Sequence, residues 1–176
     1  GDHRAAGMAT SLLYQPLAMR WRAINVLTNT PTRLFQRSPG EMQGIAIVEC
    51  YGSIVAEVAE VSVSKRGEVR VERVVCAVDC GHAVNPLTVA EQIEGSVVWG
   101  LTAAFYGQIT IEQGRLVEGN FDDYPMLRLD AMPEVETHLA LTGGSKWGGI
   151  GEPGVPPIAP AVCNAIFKIT GKRIRS

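Results

Sequence analysis

Val69-Arg70-Val71-Glu72-Arg73-Val74-Val75-Cys76-Ala77-Val78-Asp79 runs into Cys80-Gly81-His82-Ala83-Val84 and then Asn85-Pro86, and the change of period across that junction decides the fold. Val69 and Val71 alternate with Arg70 and Glu72, the two-residue repeat of a strand with one apolar face. The strand is expected to end near Asp79. Asn85 has the chemistry of a helix cap, and Pro86 suits the first helical position, where its missing N–H has no partner to lose. Val89, Ile93, Val97 and Leu101 then recur every four residues and form one apolar stripe. Gly95 and Gly100 inside this helix each cost about 1 kcal/mol against alanine. They point to close approach of another backbone or of a ligand.

Strand patterns also lie upstream. Ile45, Ile47 and Val48 begin a strand after Gly44, and Gly52-Ser53 breaks it. Val55, Val58, Val61 and Val63 continue as one bulged strand or as two strands. Lys65-Arg66-Gly67-Glu68 reads as the turn that returns the chain into Val69. Downstream, Ile109 and Ile111 face Leu116 and Val117 across Gln113-Gly114, a second hairpin. Asn120 to Asp130 is irregular, polar and aromatic, and Val135 to Leu141 is a short strand. A last helix is expected from about Ala159 to Thr170, carrying Val162, Ala165, Ile166 and Ile169, with Gly171 as its stop. Strands and hairpins packed with two main helices make an α+β domain, assigned here to residues 40–176. Residues 1–39 form an unassigned N-terminal segment or linker. It contains a mixed apolar stretch of helical appearance from Met8 to Leu27, interrupted by Pro16, and a loop marked by Pro31, Pro39 and Gly40.

The chain of 176 residues fits one domain, with 46% hydrophobic and 19% charged residues, enough for a packed core and unlike a disordered chain. A net charge of -2 without a basic patch argues against nucleic acid as a partner. No apolar run reaches the ~18 residues of a membrane span. Gly1-Asp2-His3-Arg4 lacks the order of a signal peptide; the reading is a soluble protein, with cytoplasm and periplasm both open. Cys76 and Cys80 stand four apart, but no second pair completes a zinc or iron–sulfur spacing. Cys50, Cys76 and Cys163 lie in apolar runs and read as small buried hydrophobes. Neither a disulfide framework nor a metal site made of cysteines is expected.

One carboxylate has an unusual setting. Gly148-Gly149-Ile150-Gly151-Glu152-Pro153-Gly154-Val155-Pro156-Pro157 places Glu152 between a glycine run and a proline run. Glycine permits close approach of a ligand, and proline fixes φ, so the loop is expected to be stiff and to present a single acid just before the last helix. Glu152 is then either a base, if burial or a charged partner tunes it, or a carboxylate that caps the helix or faces water. Gln92 in the long helix has two similar readings. It is part of a solvated polar face, or, with Gly95 clearing space on the same side, it reaches a polar ligand with two donors and an acceptor. His82 precedes the helix in a loop, where a lone histidine is more often neither base nor ligand. With His138 in a strand and His3 near the terminus, no three-histidine metal site is expected.

Five blocks occur in a telling order: Val74-Val75-Cys76-Ala77-Val78-Asp79-Cys80-Gly81, Asn85-Pro86, Gln92-Ile93-Glu94-Gly95, Asn120-Phe121-Asp122-Asp123-Tyr124 and Gly149-Ile150-Gly151-Glu152-Pro153. Over roughly residues 44–175 the chain resembles the C-terminal part of the large, molybdenum-binding subunit of the xanthine oxidase family. Its likeness is greatest to the isoquinoline 1-oxidoreductase β-subunit and aldehyde dehydrogenase branch. The resemblance implies hydroxylation of an aldehyde or N-heterocycle with water as the oxygen source, on a molybdenum–pyranopterin (molybdopterin) cofactor. It implies Glu152 as the base that takes the proton from the molybdenum-bound hydroxide. It implies Gln92 as a hydrogen-bond partner of the pterin, with Gly95, Gly149 and Gly151 in the cofactor-binding set, and no protein ligand to the metal.

The implied partners are the remainder of the large subunit, a small [2Fe-2S] subunit and a small-molecule substrate. Because subunits of that family are several times longer, this chain is expected to be a fragment, inactive alone and without tightly bound cofactor. Apolar surface normally covered by the missing domains would favour self-association. The alternative is a stand-alone α+β binding or assembly module that kept the fold without catalysis.

Overall fold

The computed structural model describes residues 41–145 and 147–174; the expectations for residues 1–39 lie outside them. Strand β1 (Glu41–Cys50) and strand β2 (Ser53–Val63) form an antiparallel hairpin joined by Tyr51 and Gly52. Both turn residues have positive φ, 52° and 76°, the geometry whose twist matches that of the flanking strands. Strand β3 (Val69–Asp79) returns alongside β2 after the expected turn, in which Gly67 has φ 88°.

Val55, Val58, Val61 and Val63 belong to one strand, and the irregularity lies opposite them. Glu60 pairs with Arg73 and Val61 with Val71, so Glu72 is the extra residue of a bulge. A bulge exchanges the two faces of a strand. It lets Val71 and Val74, three residues apart, both enter the core.

Helix α1 (Pro86–Tyr106) is capped as expected, the Asn85 side chain accepting from the amides of Leu87 and Thr88. Its stripe of Val89, Ile93, Val97 and Leu101 is buried. The chain then makes the small exposed hairpin of β4 (Ile111–Glu112) and β5 (Arg115–Leu116), again turned by a residue pair with positive φ, Gln113 and Gly114. After a 3-10 turn (Leu129–Ala131), strand β6 (Glu134–Leu139) adds to β3 in parallel, giving the sheet order β1-β2-β3-β6. A parallel neighbour requires a long crossover, and α1 lies within it.

Helix α2 (Val155–Thr170) begins four residues before the expected start at Ala159. The first amides of a helix have no intrahelical partner, so Pro156 and Pro157 fit its first turn; prolines that read as the end of a loop are the start of the helix. Gly171 closes it in the left-handed conformation, φ 71°. Both helices cover one face of the sheet. Gly44 on β1 admits α2 so closely that a Cβ there would overlap the backbone at Ala161 and Ala165. Gly100 on α1 likewise has no room for a Cβ, which would meet the Ile158 side chain and Val155 O. Of the two glycines inside α1, Gly100 serves the helix–helix contact, whereas the space beside Gly95 is open.

Candidate functional site

The loop between β6 and α2 is secured at both ends. At its start, Gly148 N donates to Cys80 O at 2.9 Å and Gly149 N to Tyr51 O at 2.9 Å. Ser53, fully buried, donates from Oγ to Gly149 O at 2.6 Å. A Cβ on Gly148 would overlap Ser53 Oγ, and one on Gly149 would come within 3.0 Å of Tyr51 Cβ. The glycine pair is thus required by close packing on the β1–β2 turn. At the far end, a Cβ on Gly154 would stand 2.8 Å from Ser96 Cβ and 3.4 Å from Ile93 Cδ1, so the loop closes onto α1. Pro153 and Gly154 are buried, while Gly151 and Glu152 between the anchors are exposed.

A second set of bonds holds the approach to this loop. The buried Asp79 carboxylate, at the end of β3, accepts from Gly81 N and, through Thr142 N and Oγ1, from the chain leaving β6. Gly143 N donates to Gly81 O at 3.0 Å. His82 donates from Nε2 to Gly144 O at 2.6 Å, and its ring stacks on Trp147 with centroids 4.7 Å apart. His82 thus ties the loop after β3 to the chain leaving β6.

Glu152 stands beside the end of β1. The Cys50 thiol there is pushed up, first by partial burial and then by the negative charge of Glu152. Gln92 is exposed on α1; its carbonyl accepts from Ser96 Oγ at 2.7 Å, and its side-chain amide makes no hydrogen bond to the described residues. Ser96 lies one turn from Gln92, so the end of the Glu152 loop and the Gln92 face of α1 adjoin through Ser96 and Gly154. Gly95 and Gly151 are exposed, with nothing within 4 Å of where a Cβ would be.

A match to the molybdopterin cofactor-binding domain covers residues 30–133. The chain belongs to that family. As a molybdopterin cofactor-binding domain it is 33% identical over 156 residues to the β-subunit of isoquinoline 1-oxidoreductase from Brevundimonas diminuta, covering 88% of this chain and 20% of that protein. It is 36% identical over 121 residues to one of the nicotinate dehydrogenase subunits of Pseudomonas putida, covering 68% of this chain and 10% of the relative. Among solved structures, a Cu,Mo-CO dehydrogenase superposes with a TM-score of 0.62 at 21% identity, over 68% of this chain and 16% of its own, a likeness of fold. The chain thus spans a fifth or less of the length of these proteins. The family match begins at residue 30, inside the segment that the sequence reading leaves unassigned.

The residues of this molybdopterin-binding domain fit such a cofactor in kind. Gln92 offers an unspent amide, and the open space at Gly95 and Gly151 would admit a planar group close to the backbone. Among the described residues no cluster of three His, Cys, Asp or Glu side chains is placed to hold a metal, and none of their helices is long and apolar enough to cross a membrane.

The cysteines depart from expectation. Cys76 is buried as expected, but Cys50 and Cys163 are only half-buried, and Cys80 is the second buried thiol; all four are free. Cys50 ends β1 beside an exposed turn, and Cys163 lies at the margin of the core face of α2.

Sequence reasoning passes over Ser53, Asp79 and Glu57. Ser53 reads only as the end of a strand break. Glu57 carries a signal, since it shares the parity of Val55 and Ala59. It is fully buried, and burial raises its pKa to about 8 against the lowering effect of the Cys76 hydrogen bond.

Proposed function

We propose that the chain is part of a molybdenum hydroxylase that oxidises an aldehyde or an N-heterocycle with water as the oxygen source, and that Glu152 is its general base. Residues 40–176 are in this reading the C-terminal part of the molybdopterin-binding domain, and residues 1–39 an unassigned N-terminal segment or linker, whose last ten residues fall within the family match. The observation that carries the proposal is the combination of two firm anchors, at Ser53 and at Ser96, with an exposed carboxylate between them. Such a loop offers an acid at a fixed place, and in this reading the burial or charged partner that tunes it as a base comes from the rest of the large subunit.

When bound, the molybdenum–pyranopterin group supplies the two-electron oxidation and the acidity of the water-derived nucleophile. The chain's own residues orient and accept. Gln92 would hydrogen-bond the pterin through its side-chain amide. Gly95 and Gly151 would let backbone approach it, Gly149, held against the β1–β2 turn, would fix the loop behind them, and a carboxylate oxygen of Glu152 would take the nucleophile's proton. The remainder of the large subunit completes the cavity, and a small [2Fe-2S] subunit receives the electrons. Because Gln92, Gly95 and Gly151 all lie on open surface, this chain provides one wall of the site, and alone it neither retains the cofactor nor turns over.

Molybdenum per polypeptide decides between this reading and a non-catalytic module. The chain is recovered through a tag from its native host and analysed for metal. About one molybdenum in a species containing larger polypeptide supports the hydroxylase; the 18.9 kDa chain recovered alone and without molybdenum means an inactive fragment or a repurposed module, in which Glu152 has nothing to deprotonate. Stoichiometric molybdenum on the isolated chain would overturn the claim that one wall is insufficient.

A further inference from the structure

We propose that Ser53 is a positioning residue for Glu152, acting through Gly149; the proposal rests on the reading of Glu152 as the base. Ser53 opens β2 and pairs with Cys50 in β1, so its Cα is set by the sheet. Its Oγ is buried and donates to Gly149 O at 2.6 Å, three residues before Glu152. The same oxygen fills the volume that a Cβ on Gly148 would need. Gly149 N in turn donates to Tyr51 O, whose residue keeps φ 52° to make the turn. Gly149 is therefore gripped at both its N–H and its C=O by the β1–β2 turn. From Gly149 to the second anchor at Gly154 the chain has five bonds between Cα atoms in which to place the carboxylate, and Pro153 removes further freedom.

Removing the hydroxyl leaves Gly149 O without its donor and frees the peptide to rotate. A displacement of about 1 Å at a reacting group costs up to ~100-fold in rate. The hydroxyl carries no proton to or from substrate in this scheme; it fixes where Glu152 stands.

The test has two arms. In the full 176-residue chain, amide hydrogen exchange is followed at Gly149, Ile150, Gly151 and Glu152 in the wild type, Ser53→Ala and Ser53→Thr. Ser53→Ala is expected to accelerate exchange at these amides by roughly three- to tenfold while leaving β3 unchanged, and Ser53→Thr to restore protection by restoring the hydroxyl. Gly148→Ala, which presses on the same oxygen from the other side, is expected to reproduce the Ser53→Ala pattern. In the complete cofactor-loaded subunit, Ser53→Ala is expected to lower kcat on the order of 10- to 100-fold, with KM and molybdenum content within about twofold. That effect should vanish in a Glu152→Gln background.

Unchanged exchange in both Ser53→Ala and Gly148→Ala overturns the proposal, as does a loss of kcat matched by loss of molybdenum. Full activity of Glu152→Gln would instead remove the base reading, and loop protection would still report whether Ser53 holds Gly149.

Discussion

Cys76 donates from Sγ to Glu57 Oε1 across the β2–β3 ladder at 3.8 Å, and Glu57 Oε2 is left buried without a hydrogen-bond partner among the described residues. The next residue in that row, Thr137 on β6, also has a buried oxygen, Oγ1, without a partner among the described residues. An apolar core is thus crossed by a polar row on three strands, beneath the two helices. Unpartnered buried polar atoms are costly, and the cost rises steeply if the carboxyl ionises.

The stability of the chain should therefore fall as pH rises between about 4.5 and 8. Glu57 keeps its proton in the native state up to about 8, whereas its usual value is 4.5. Within that window the native state binds one more proton than the unfolded state, so stability is lost at up to about 1.4 kcal/mol per pH unit. Below the window both states are protonated, and above it both are ionised, so the Glu57 contribution is flat at each end. Denaturant unfolding from pH 5 to 9 measures this slope, and Glu57→Gln should remove it. An equal slope in the variant would assign the pH dependence to other groups.

Glu152→Gln should separate chemistry from folding. The residue is exposed, so unfolding of the isolated chain should shift by no more than about 0.5 kcal/mol. In the complete enzyme kcat should fall by at least about 100-fold with molybdenum content preserved. Cofactor loss in proportion to activity would mark Glu152 as a structural residue.

The two glycines of α1 should respond oppositely to alanine. Gly100→Ala drives a Cβ into Ile158 and Val155 O, and overpacking of this kind costs about 1–3 kcal/mol. Gly95→Ala meets open space and should stabilise the isolated chain by up to about 1 kcal/mol. If Gly95 faces the cofactor, the same substitution weakens cofactor retention in the complete enzyme. Thermal unfolding of the two variants and metal content of the loaded enzyme test both statements.

Gln92→Ala offers a cleaner test of the pterin contact. The amide has no hydrogen bond to spend within the described chain, so stability should change by less than about 0.5 kcal/mol, while molybdenum content after dialysis should drop. Unchanged retention would take Gln92 out of the site.

Large apolar side chains stand on the surface, among them Leu87, Trp99, Phe121 and Leu129. The chain alone should therefore self-associate with rising concentration, as read by sedimentation. A monomer at millimolar concentration would contradict that expectation.

The strands and helices are legible because their residues repeat. Val89, Ile93, Val97 and Leu101 announce one helix face, and Asn85-Pro86 announces its start. What periodicity does not encode is tertiary. The bulge at Glu72 exists because Val71 and Val74 must both reach the core. The start of α2 escapes the pattern because Pro156 and Pro157 read as loop, although proline suits the first turn of a helix, and α2 also carries Pro160 inside it. Glu152 is conspicuous between its glycines and prolines, yet the reason for Gly148 and Gly149 lies in Tyr51 and Ser53, a contact that no local pattern announces. Gly95 and Gly100 look alike in sequence and differ only in what lies against them.

The donor that holds Gly149 O comes from 96 positions upstream. No local turn can supply it, and closing so long a loop costs chain entropy that the rest of the sheet has to offset. The hairpin of β1 and β2 has to be in register before the Glu152 loop can lock. An incompletely folded chain consequently cannot present the acid, and readiness of the site becomes a report on the completeness of the sheet beneath it.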